Sequence, residues 1–81
     1  MSDSHRLEKL RWRSRRGLLE LELLLQPFVT GRMATLAAPL LDQYEQLLEY
    51  DDVDVHEWIM GRSAPPRDVA DIVAEISESL R

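Results

Sequence analysis

Apolar residues recur three and four positions apart along most of this chain, the interval that gathers them on one face of an α-helix. The clearest stripe is Leu40, Leu41, Tyr44, Leu47 and Leu48, with Asp42, Gln43, Glu45, Gln46 and Glu49 opposite. Pro39 suits the first turn of that helix, where a missing N–H is no loss. Val69, Ile72, Val73, Ile76 and Leu80 form a second series and predict a last helix from about Pro66. Between the two lies a shorter helix with Val55, Trp58 and Ile59 inward. Asp52 is its expected N-cap and Gly61 its expected C′ terminator. Ser63 to Pro66 reads as a turn.

The first part of the chain is less regular. Leu7 and Leu10 stand at helical spacing with Trp12 close by, and the polar positions around them are mostly Arg and Lys. Ser2, Asp3 and Ser4 all offer N-cap chemistry, so a short basic helix from about Ser4 to Ser14 is expected. Gly17 breaks it. The run Leu18 to Val29 is ambiguous, because Leu19, Glu20, Leu21, Glu22 and Leu23 alternate as a strand would. Leu and Glu favour helix over strand, and Leu18, Leu21, Leu25 and Phe28 lie three to four apart. This segment is expected to be the central, most buried helix, kinked or ended early by Pro27, whose ring removes the bond back to Leu23. A loop at about Thr30 to Ala37 follows. The sum is a compact, single-domain, all-α five-helix bundle spanning residues 1–81.

Composition narrows the chemistry. Apolar residues make up 44% of the 81, enough for a core near the lower size limit for a self-sufficient domain. With no cysteine and two histidines, His5 and His56, there is no disulfide framework or thiolate site and little material for zinc or His-centred catalysis. No phosphate-binding glycine loop and no nucleophile–histidine pair are in view. No apolar run approaches the ~20 residues that cross a bilayer, and the start of the chain is charged. A soluble cytoplasmic protein, monomeric when free, without membrane insertion, is the expectation. Asp51, Asp52 and Asp54 could suggest a hard cation, but helix capping and the helix dipole account for acids there, and no metal site is expected.

Charge is unevenly placed. Residues 1–20 carry six Lys/Arg against three acids, while residues 42–57 carry seven acids and no Lys or Arg, in a chain of net charge −5. Such a dipolar protein is suited to docking on a partner with complementary patches. Three readings compete. The first is a protein-binding module working through Arg16-Gly17-Leu18-Leu19-Glu20, an Arg-Gly-x-x-Glu turn in which Arg16 supplies a fork for oxygens, Gly17 clears space and Glu20 holds a carboxylate at a fixed angle. Against it stands the structural alternative that Arg16 and Glu20 pair with each other or with neighbouring helices. The third reading is a nucleic-acid-binding module using Arg6, Lys9, Arg11, Arg13, Arg15 and Arg16; the acidic remainder of the chain and the lack of a helix-turn-helix signature disfavour it.

The stretch Trp12-Arg13-Ser14-Arg15-Arg16-Gly17-Leu18-Leu19-Glu20-Leu21 resembles the signature of the SdhE-type FAD assembly factors of succinate dehydrogenase. A second block, Leu47-Leu48-Glu49-Tyr50-Asp51-Asp52-Val53-Asp54 continuing to Trp58, resembles them at the right separation, as does the pair Pro27-Phe28. Ala37 departs from a helix-capping Ser and Val53 from a Pro common after the Asp pair. The resemblance implies a five-helix fold and a non-enzymatic assembly factor. Such factors promote covalent attachment of FAD to a histidine of the succinate dehydrogenase flavoprotein subunit, and in some bacteria of fumarate reductase. It implies partner contacts at Arg16, Gly17 and Glu20, with Arg15, Trp12, Asp51 and Asp52 as further candidates. It implies no cofactor of the chain's own, FAD being carried by the partner. A helical interaction module unrelated to flavin is the alternative.

Overall fold

The computed structural model describes residues 3–80, and every regular element among them is helical. Five α-helices follow in order: α1 (Asp3–Arg13), α2 (Leu19–Gly31), α3 (Ala38–Leu47), α4 (Asp52–Ile59) and α5 (Ala70–Ser79). Short 3₁₀ turns at Met33–Thr35 and Arg67–Val69 lead into α3 and α5. Helices α2 and α3 pack on α5, and α2 also packs on α4. The core is Leu21, Leu25 and Phe28 of α2, Tyr44 and Leu47 of α3, Val55 and Ile59 of α4, and Ile72, Val73 and Ile76 of α5. Phe28 and Tyr44 meet with ring centroids 5.8 Å apart. The all-α five-helix expectation therefore holds. Ser2, one of the proposed N-caps of α1, lies outside the described residues.

Six local expectations need correction. Helix α2 does not stop at Pro27 but continues to Gly31, closed by the Arg32 N–H on the Phe28 carbonyl at 2.8 Å. Pro27 cannot donate to the Leu23 carbonyl, and both residues are exposed, while Phe28 and Val29 beyond are buried and hold the last turn on the core. The segment read as a loop over Thr30 to Ala37 contains the 3₁₀ turn whose Met33 is fully buried. The last helix starts at Ala70 rather than Pro66, after the second 3₁₀ turn. The N-cap of α4 is Asp51, whose backbone is extended, and Asp52 is the first helical residue. Trp58 is only half-buried, edge-on to Tyr50 with centroids 5.1 Å apart, and Leu80 is exposed just past the end of α5.

Gly61 behaves as expected. Its φ of 78° is left-handed, its N–H donates to the Trp58 carbonyl at 3.1 Å, and the Arg62 N–H donates to the Glu57 carbonyl at 2.9 Å. These two bonds close α4 in a Schellman motif, which favours glycine at that position.

Candidate functional site

Helix α1 is tied to the bundle by few apolar contacts: Leu10 is buried and Leu7 half-buried. Its end is fixed by polar ones. The hydroxyl of fully buried Ser14 donates to the Leu10 carbonyl at 2.7 Å and is also bonded to the Tyr44 hydroxyl. Since the Ser14 proton is already committed to Leu10, Tyr44 donates to Ser14 Oγ. Burial pushes the Tyr44 phenol up to about 12, against the opposing pull of the Arg16 charge. The pair anchors the residue two positions before Arg16.

Arg16 then clamps three segments. Its Nε donates to Asp52 Oδ1 at 2.7 Å, Nη1 to the Arg13 carbonyl at 3.3 Å, and Nη2 to the Tyr50 carbonyl at 3.2 Å. The Arg13 carbonyl belongs to the last turn of α1, where carbonyls lack helical partners. The Tyr50 carbonyl lies in the turn before α4, and Asp52 opens α4. Both side chains of the ion pair are largely covered, 15% and 22% exposed. The planar fork suits several fixed oxygens at once, and a lysine would not replace it. Arg16 and Asp52 thus face each other inside the chain, and the proposed Asp52 cap is the counter-ion of the motif arginine.

Gly17 sits between α1 and α2, exposed, with a φ outside the left-handed region. A Cβ added there would meet only Asp52 Oδ2, at 4.0 Å, an ordinary contact. Nothing within the described chain requires glycine at this position. Glu20, in the first turn of α2, is exposed and has no ion pair or hydrogen bond among the described residues. The two charged ends of the motif therefore differ: Arg16 is engaged inward and Glu20 faces out. They do not pair with each other.

The other candidates also separate. Asp51 is exposed, and its side chain makes no capping bond. Trp12 is 70% exposed with the Arg15 guanidinium over its ring, 5.6 Å from the centroid. Much of the charge asymmetry is spent inside the molecule: Arg6 bonds Asp42 at 2.6 Å and Glu45 at 3.1 Å, and Arg13 bonds Glu49. Among the described residues, no cluster of His, Asp and Glu is arranged to hold a metal ion, and no helix is long and apolar enough to cross a membrane.

Sequence reasoning missed two residues. Leu19 and Leu23 were expected in the buried helix, yet they are 63% and 64% exposed, one turn apart on the side that leaves the bundle. The signal was present: α2 has apolar residues nearly all round, and a helix on the surface of a five-helix bundle buries only one face.

Comparison with known proteins gives the context of this turn. The model of the family described as the flavinator of succinate dehydrogenase matches residues 8–80. The chain belongs to this family. It is 35% identical over 74 residues to the FAD assembly factor SdhE of Legionella pneumophila strain Paris, covering 91% of this chain and 94% of the relative. The FAD assembly factor SdhE of Pseudomonas aeruginosa is 43% identical over 65 residues, 80% of this chain and 77% of the relative. That of Coxiella burnetii is 34% identical over 58 residues, 72% and 71%. These relatives are named as assembly factors and not as enzymes. No solved structure matches the chain significantly. The matched span contains both sequence blocks and the Arg16 clamp that brings them together.

Proposed function

We propose that this protein is the assembly factor that binds the flavoprotein subunit of succinate dehydrogenase and promotes covalent attachment of FAD to its histidine, with fumarate reductase as a second client. The observation that carries the reading is the outward half of the motif. Glu20 is exposed and unpartnered beside a glycine for which the chain itself has no steric use. A carboxylate kept free and a backbone kept bare are what a surface needs when another protein must approach closely. Family membership supplies the client class.

In this reading the covalent chemistry that joins flavin to histidine belongs to the partner, which carries the FAD. This chain contributes position. Arg16 holds the motif turn rigid through its three oxygen partners, so Gly17 and Glu20 are presented at a fixed angle. Arg15, Trp12 and Asp51 are exposed around the same turn and extend the contact, while Asp52 acts through Arg16. Holding two reacting groups in near-attack geometry lowers a barrier by several kcal/mol without any catalytic group in the helper. The protein acts as a cytoplasmic monomer that binds, orients and leaves.

The test is in-gel flavin fluorescence of the denatured flavoprotein subunit, from cells with and without this chain. Covalent flavin should fall on deletion, return with the wild type and fail to return with Glu20→Ala. Unchanged fluorescence on deletion would remove succinate dehydrogenase as the client.

A further inference from the structure

The cations of α1 fall into two sets. Arg6 is paired with Asp42 and Glu45 of α3, Arg13 with Glu49 just past the end of α3, and Arg16 beyond them with Asp52. Lys9, Arg11 and Arg15 face outward, are exposed, and have no ion partner among the described residues. In a chain of net charge −5, with acids in excess, that is a specific omission. Arg11 and Arg15, one turn apart, form one wall of an open groove of about 390 Å³. Glu22, Gln26 and Thr30 of α2 form the other wall, over Val29. Exposed apolar surface borders it: Leu19 and Leu23 continue round α2 beyond its wall, and Trp12 lies under the Arg15 guanidinium on α1. The groove runs between the two helices that the Gly17 turn joins, so it is continuous with the motif.

We infer that this α1/α2 groove is a second contact for the client, taking an acidic, partly apolar segment of the flavoprotein. The inference rests on the assembly-factor reading and adds to it Arg11, Leu19 and Leu23. A carboxylate on that segment is matched by Arg11 and Arg15, whose guanidinium forks donate to its two oxygens bidentately. Its apolar side chains cover Leu19 and Leu23, which together with Trp12 give the hydrophobic centre that a stable interface needs beside its polar rim. Glu22 in the facing wall repels a uniformly anionic ligand, and so selects a mixed protein segment over a nucleic-acid backbone. Unpaired cations on this face also steer the encounter electrostatically, so association slows as salt rises.

The experiment is calorimetric titration of the purified full chain into the purified flavoprotein subunit, at low and physiological salt. Arg11→Glu should weaken binding about tenfold or more and flatten its salt dependence, and Leu19→Ser combined with Leu23→Ser should weaken it by a similar factor. Met60→Ser, at a comparably exposed apolar residue beyond the end of α4, should leave the affinity within about twofold. All three sites are exposed, and circular dichroism melts should show the fold retained. If the wild type binds, Glu20→Ala weakens it, and both groove variants bind like wild type, this inference fails and the client reading stands. If the wild type does not bind the flavoprotein at all, the client reading fails and takes the groove with it. A single-stranded oligonucleotide that displaces the flavoprotein would assign the face to nucleic acid and overturn the proposal.

Discussion

The inward and outward sides of the α1–α2 turn are built from the same residue types and do opposite work. On the inward side, Arg16 reaches Asp52 and two backbone carbonyls, and Ser14 meets Tyr44 in the core. On the outward side, Glu20, Arg11 and Arg15 have no ion partner among the described residues, and Leu19, Leu23 and Trp12 stay in solvent. The inward side is stabilising and fixes geometry. The outward side adds little to the free protein's stability, which leaves it available to a partner. The motif is thus divided, with its arginine engaged in the scaffold and its glutamate left exposed.

Substitutions on the two sides should rank in opposite order for stability and for flavinylation. The largest loss of stability is expected for Arg16→Ala, about 2 kcal/mol, because Asp52 is left partly buried without its counter-ion and two carbonyls lose a donor. Chemical denaturation would measure it, and a change under about 0.5 kcal/mol would erase the proposed division. Flavinylation should fall as well, but recover in part when a stabilising background restores the fold, which Glu20→Ala should never do.

Tyr44→Phe comes next, at about 1 kcal/mol near neutral pH for one buried hydrogen bond. Its pH dependence is more telling. The folded phenol titrates at about 12 against an ordinary value of 10.0, so the fold favours the protonated form. That stability is complete below about pH 10 and is lost as pH rises through about 12, a window worth roughly 2–3 kcal/mol. Tyr50 adds a contribution of the same sign, because Asp68 accepts a hydrogen bond from its neutral hydroxyl. Alkaline unfolding followed by circular dichroism should show the loss in wild type and a shallower one in Tyr44→Phe. Equal slopes would mean that the Tyr44 hydroxyl is not held as described.

Arg13→Ala should cost less, about 0.5 kcal/mol and fading with salt, since its pairs with Glu45 and Glu49 lie at the exposed rim. A loss comparable to that of Arg16→Ala would show that the rim pairs hold α1 as firmly as the buried clamp. The smallest stability effect is expected for Glu20→Ala, a few tenths of a kcal/mol from the lost favourable charge at a helix N-terminus. Its thermal midpoint should match wild type while covalent flavin is lost. A clear drop in midpoint would move Glu20 to the inward set.

Much of this was legible along the chain. The α3 stripe, the Gly61 terminator and the break at Gly17 are local: each depends on a residue's own backbone preference or on neighbours three and four positions away. The sequence blocks around Gly17 and Asp51-Asp52 were legible as candidates for the same reason. Whether α2 ends at Pro27 was not legible in this way, because the burial of Phe28 and Val29 beyond it decides whether the helix continues. Asp52 was misassigned as a cap because Arg16, its partner, stands 36 residues earlier. The exposure of Leu19 and Leu23 was hidden because an all-round apolar helix does not announce which face the bundle will cover.

The order and type of the helices, the motif and the imbalance of charge therefore follow from the sequence by itself, through preferences that act over a turn or two. Only the tertiary structure decided which charges are neutralised and which remain free. Ion pairs and burial depend on distances between residues far apart in the chain, and packing α1 against α3 and the start of α4 spends Arg6, Arg13 and Arg16 while leaving Arg11, Arg15 and Glu20 unspent.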